Sequence, residues 1–98
     1  MEQVIWSKRS VINLRKIWNF YALELETITG ANIVVKGIKK TGDALSINFL
    51  HQTEKYLKPN QFRVIYKHFK IIYIVKNNKI LILQIFDSRQ KPIKITQT

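Results

Sequence analysis

Residues 61–86 read QFRVIYKHFKIIYIVKNNKILILQIF. Three β-type runs are packed into this stretch, at 61–67, 69–75 and 79–86. Each is rich in β-branched and aromatic residues, which fit a pleated surface. Asn77-Asn78 separates the last two runs. Two residues suffice for a type I′ hairpin, and Asn tolerates the positive φ that such a turn requires. Lys67-His68 predicts a second turn, between the first two runs. In the first run, alternation sends Phe62, Val64 and Tyr66 to one face and Arg63, Ile65 and Lys67 to the other. The last run, KILILQIF, is almost continuously apolar. That pattern predicts a strand covered on both faces.

Upstream of residue 60 the apolar spacing changes from two to three or four. Residues 3–6, QVIW, form one short β-type run. Ser7 then supplies a hydroxyl able to accept a bond from a free N–H of a first helical turn. Val11, Leu14, Trp18, Tyr21 and Leu25, with Ile17 beside them, predict an amphipathic helix of about 18 residues. Trp18, Tyr21 and Phe86 read as core aromatics. Thr27, Thr29 and Gly30 interrupt the pattern and can cap a second helix. Its expected stripe is Ile33 or Val34, Ile38, Thr41 and Leu45. Gly37 and Gly42 would each weaken that helix by about 1 kcal/mol relative to alanine. Residues 46–60 are the least regular part; they contain His51, Gln52 and Glu54 and end at Pro59-Asn60.

The predicted fold class is therefore α+β, in the order βααβββ. A helical hairpin packs on one face of a small, largely antiparallel sheet, because its stripes have nowhere else to bury. A length of 98 residues favours a single domain over 1–98.

The charge is lopsided. Seventeen Lys and Arg oppose six Asp and Glu, giving a net +11. Residues 51–98 carry ten of the cations and two of the anions. Such a half attracts polyanions or an acidic protein. Hydrophobic residues make up 46% of the chain, which excludes a disordered polycation. There is no cysteine, so a disulfide scaffold, a Cys-based zinc site and a thiol nucleophile are excluded. The only histidines are His51 and His68. No phosphate-binding glycine loop, metalloprotease motif or nucleophile elbow occurs, and neither a metal nor a cofactor is expected. No apolar run approaches the roughly 20 residues of a membrane helix, and a cytoplasmic location without a membrane partner is expected.

What remains is a cationic group. Arg89 and Lys91 lie just past the last strand, and Arg63, Lys67 and Lys70 can share a surface with Arg89 at its rim. Such a group can hold phosphate oxygens, Arg by bidentate pairing. His68 can move a proton near neutral pH.

Three stretches resemble the RelE/ParE superfamily of bacterial type II toxins. Residues 4–10, VIWSKRS, resemble its opening strand and helix cap. Residues 62–64 and 68–73, FRV and HFKIIY, resemble its central strand pair. Residues 82–92, ILQIFDSRQKP, resemble its closing motif. The resemblance implies a growth-inhibiting toxin, neutralised by a cognate antitoxin in a hetero-oligomer. RelE-like members cleave mRNA on the ribosome without a metal, and ParE-like members inhibit DNA gyrase. For the cleaving branch, Arg63, Lys70 and Arg89 match basic site residues, with Lys67, His68 and Lys91 as target-binding neighbours. Ile65 replaces a further strand lysine, and the tail after Arg89 has neither Tyr nor His. The alternative to a toxin is a non-catalytic RNA- or ribosome-binding module.

Overall fold

The computed structural model of the chain describes residues 3–48, 51–53 and 57–89. Strand β1 (Gln3–Trp6) leads into helix α1 (Lys8–Asn19). A π-helical turn (Phe20–Glu24) continues α1, and helix α2 (Ile28–Asp43) returns beside it. Strands β2 (Phe62–Tyr66), β3 (Phe69–Lys76) and β4 (Lys79–Asp87) follow. The expected βααβββ order is thus the observed one.

The sheet order is β1-β4-β3-β2. The two hairpin pairings are antiparallel, and β1 joins the outer edge of β4 in parallel. Asn77 and Asn78 both have positive φ, 53° and 60°, as a type I′ turn demands. A bulge at Ile72/Tyr73 steps the β4 partner from Gln84 to Ile82. Leu83 is the extra residue.

Ser7 does three things at the point where β1 becomes α1. Its backbone N–H donates to Ile82 O at 3.0 Å, continuing the sheet. Its hydroxyl donates to the carbonyl of the bulged Leu83 at 2.8 Å and accepts from Ser10 N at 3.1 Å, capping the helix. The helix start is therefore nailed to the one irregular place in β4.

Leu14, Val34, Ile38 and Leu45 bury against Phe69, Ile71, Tyr73, Ile80, Ile82 and Ile85. Phe62, Val64 and Tyr66 pack on this same helix-covered side, as alternation requires. Ile72, Gln84 and Phe86 are buried as well, and their register puts them on the opposite face. Gln84, Ile85 and Phe86 are buried in succession, so the last strand is covered on both sides, as its apolar run predicts.

The expected stripe of the first helix is corrected at two positions. Val11 and Leu25 are exposed, whereas Ser10 and Ala22 are buried. The π turn holds more residues per turn than an α-helix, so the inward position after Leu14 and Ile17 falls at Ala22. In α2 the inward residue is Val34, and Ile33 faces solvent. Trp18 and Tyr21 are half-buried rather than central, while Phe86 is a core residue. Trp18 Nε1 donates to Asn32 Oδ1 at 2.8 Å, tying the two helices together.

The glycines of α2 have a use. A Cβ on Gly42 would lie 2.5 Å from Trp6 Cζ2 and 2.9 Å from Ile82 Cδ1. A Cβ on Gly37 would meet the Tyr66 ring. Both let α2 lie against aromatic side chains of the sheet. Trp6 is held from its other sides as well. Its Nε1 donates to Asp43 Oδ1 at 2.7 Å, and Lys39 Nζ stands 5.6 Å from the ring centroid.

Candidate target-binding surface

The residues expected to form one cationic surface divide into two groups. Arg63 and Lys70 lie on the sheet face away from the helices. Their register partners are Ile72 for Arg63, and Ile65 and Phe86 for Lys70. Ile65 is 48% exposed between them. Arg63 also donates its backbone N–H to Gln52 O at 2.9 Å, pinning the preceding loop to the β2 edge.

The second group sits at the end of the sheet. Lys67 is exposed in the β2–β3 turn at φ 55°, with Nζ 5.8 Å from the Tyr66 ring centroid. His68, half-buried, follows it. Its ring centroid lies 4.2 Å from that of Phe69, and its buried Nε2 has no hydrogen-bond partner. The His68 carbonyl accepts from Ser88 N at 2.7 Å, which joins this turn to the end of β4. There Asp87 clamps Arg89. Arg89 Nη2 donates to Oδ2 at 2.8 Å, while its Nε and backbone N–H donate to Oδ1 at 3.1 and 2.9 Å. Lys91 lies outside the described residues.

The Arg89 hydrogen bond is the main reason the Asp87 carboxyl is held below the usual carboxylate range, with the nearby His68 adding a little. A depressed carboxyl stabilises the fold at pH above its unfolded pKa of about 3.9 and loses that contribution as pH falls through its lower folded value. Asp87→Asn is therefore expected to flatten the acid limb of the stability–pH curve below about pH 4. Urea titrations across pH 2–7 measure it; an unchanged acid limb would refute the linkage.

Sequence reasoning did not find the cleft beside this end. A hollow of about 440 Å³ lies between α1 and the end of β4. Ile17, Phe20, Tyr21, Phe69 and Ile85 make it apolar; Arg9 and Lys16 make it basic, and the paired Asp87 and Arg89 also line it. Asn13 Oδ1 accepts from Ile85 N at 2.9 Å inside it, satisfying a β4 N–H that lies beyond the end of β1. One signal was present: Arg9, Asn13 and Lys16 recur at helical spacing on one side of α1.

His51 was likewise missed. It stacks on Phe62 at 4.9 Å between centroids. Its Nδ1 is 2.8 Å from Tyr73 Oη and its Nε2 3.2 Å from Ile47 O. A carbonyl only accepts, so neutral His51 carries its proton on Nε2, and the Tyr73 hydroxyl donates to Nδ1. Burial pushes the Tyr73 hydroxyl pKa up, which keeps it a donor. Tyr73→Phe leaves Nδ1 without a partner and is expected to cost about 1–2 kcal/mol in thermal or urea unfolding. A change below the error of that measurement would show that the bond contributes nothing.

Among the described residues no group of three or more His, Asp or Glu side chains is placed to hold a metal ion. None of the described helices is long and apolar enough to cross a membrane.

Residues 4–92 match the family described as the ParE toxin of the type II toxin–antitoxin system parDE. The chain belongs to the ParE toxin family. A solved structure described as the chromosomal ParDE toxin–antitoxin system from P. aeruginosa is similar in fold. Its TM-score is 0.75 at 20% identity, over 89% of this chain and 96% of that one. Comparison with curated proteins gives no match. The ParE assignment agrees with the resemblance carried by the opening, central and closing stretches. It also makes this chain a type II toxin–antitoxin toxin, in place of a passive RNA-binding module.

Proposed function

We propose that this ParE-family toxin arrests growth by binding DNA gyrase as a protein ligand, with no bond-breaking step of its own. The observation that carries this reading is the Asp87–Arg89 pair. RNA cleavage without a metal needs cations free to meet the charge that develops on the scissile phosphate. Arg89 instead spends its fork on a carboxylate, which would itself repel a phosphate. Ile65 stands where a further strand cation would complete the matched set of Arg63, Lys70 and Arg89. Arg63, Lys70, Lys67 and His68 then serve as contact residues for the target.

The cleft beside α1 fits the second partner. An apolar floor with Arg9 and Lys16 beside it suits an acidic amphipathic segment. A cognate antitoxin carrying such a segment would neutralise the toxin in a hetero-oligomer, and the net +11 would speed their encounter.

Two assays on the purified toxin test the target. Supercoiling by purified gyrase is expected to be inhibited. Primer extension on mRNA from cell-free translation is expected to show no new ends. New ends inside translated codons that disappear on Arg63→Ala or Lys70→Ala would overturn the reading in favour of ribosome-dependent cleavage.

A further inference from the structure

The tip of the helical hairpin is unlike the rest of the molecule. Seventeen cations are spread along this chain, yet residues 17–35 contain none. The same stretch holds two of the six acidic residues, Glu24 and Glu26. Both are exposed, and neither makes an ion pair among the described residues. Beside them, Leu23 is 70% exposed and Ile28 62%, with Leu25 also open to solvent. Apolar side chains this open offer area that a protein partner can bury. The backbone here is also unusual. Phe20–Glu24 is π-helical, and Glu26 has φ 53°. Such turns are uncommon and concentrate at functional sites.

We infer that this tip, Leu23, Leu25 and Ile28 flanked by Glu24 and Glu26, is a second docking surface, and that it seats on a protein whose surface is apolar with a rim of Lys and Arg. Charge decides the class of occupant. A nucleic acid does not fit, because two exposed carboxylates in a stretch that holds no Lys or Arg repel phosphates. A basic-rimmed apolar surface gains on both counts: it buries three leucine-type side chains and pairs two carboxylates. The toxin therefore presents two surfaces of opposite charge, the cationic cleft lined by Arg9 and Lys16 and the anionic, apolar tip that follows Tyr21 in the chain. The inference rests on the reading that this toxin acts by seating on a protein.

The test uses the full chain, expressed by titratable induction in growing cells without antitoxin, and purified gyrase as the probe. Leu23→Ser/Ile28→Ser and Glu24→Lys/Glu26→Lys change only exposed side chains, and both variants should keep the wild-type melting profile. Each is expected to require at least about tenfold more protein for the same growth arrest and gyrase inhibition, the loss typical of removing a central contact. Ile12→Ser, an equally conservative change at another exposed apolar position on α1, is expected to arrest growth like wild type. Undiminished arrest by both tip variants overturns the inference whatever the target. So does a wild-type dimer in sedimentation that the tip substitutions dissolve, because the occupant would then be a second copy. A wild type that arrests growth but leaves gyrase untouched removes the gyrase reading alone, and the growth comparison still decides the tip. A wild type that permits growth overturns both.

Discussion

Ile38→Ala is expected to destabilise the fold by about 2–5 kcal/mol. Ile38 lies mid-way along α2 with no exposed surface, in the cluster that joins both helices to the sheet. Truncation removes buried methyl and methylene groups and leaves a hole that helices on one side and strands on the other cannot both move to fill. A domain of this size has about 5–15 kcal/mol in total, so one substitution removes a large share. Urea unfolding should show a lower midpoint with an unchanged slope. Ile65→Ala supplies the contrast: its side chain is 48% exposed, and a change within about 0.5 kcal/mol is expected. Equal losses at the two positions would mean that the core is not where the burial places it.

Gly42→Ala sets two effects against each other. Alanine gains about 1 kcal/mol in helix propensity. The added Cβ must sit 2.5 Å from Trp6 Cζ2, 2.7 Å from Cη2 and 2.9 Å from Ile82 Cδ1. Trp6 cannot swing away without breaking its bond to Asp43, and Ile82 is fully buried. Overpacking of this kind costs about 1–3 kcal/mol and sometimes more. The expected net result is destabilisation, readable as a lower melting temperature together with altered tryptophan fluorescence. A more stable variant would show that the indole relaxes freely. Trp6→Phe in the Gly42→Ala background should restore part of the loss, because the smaller ring vacates the contested space.

The strands were legible because their signals are local. Period-two alternation in residues 62–66 and the Asn77-Asn78 pair each admit one good solution. Both solutions reappear in the structure. The helix faces were less legible. Val11 and Leu25 fit the spacing as well as any buried residue does. What excludes them is Ser10, drawn inward where its hydroxyl bonds Ser7 O at 2.7 Å, and the π turn, which shifts the phase after Phe20. Gly37 and Gly42 read as helix defects, because a sequence displays propensity and not the indole or phenol lying across the helix. In the candidate site, alternation was enough to place Arg63 and Lys70 together. It was not enough to reveal Asp87 over Arg89, since a spacing of two residues brings side chains together only in a particular turn. Arg9 and Lys16 join Arg89 across more than seventy residues of chain, and no local pattern announces that meeting.

Strand β1 waits for a partner made some seventy residues later. Among the described residues β1 pairs only with β4, and Ser7 finds its acceptor at Leu83, 76 residues downstream. A ribosome extends the chain N-terminus first, at roughly 5–20 residues per second. For seconds of synthesis the helical hairpin can therefore form while the β1 edge has no neighbour and the Leu14–Ile38 surface has no sheet to cover it. Closure of the whole sheet is a late and steep event, set by the emergence of residues 79–83. Until those residues emerge, the nascent sheet lacks the strand that joins its two halves.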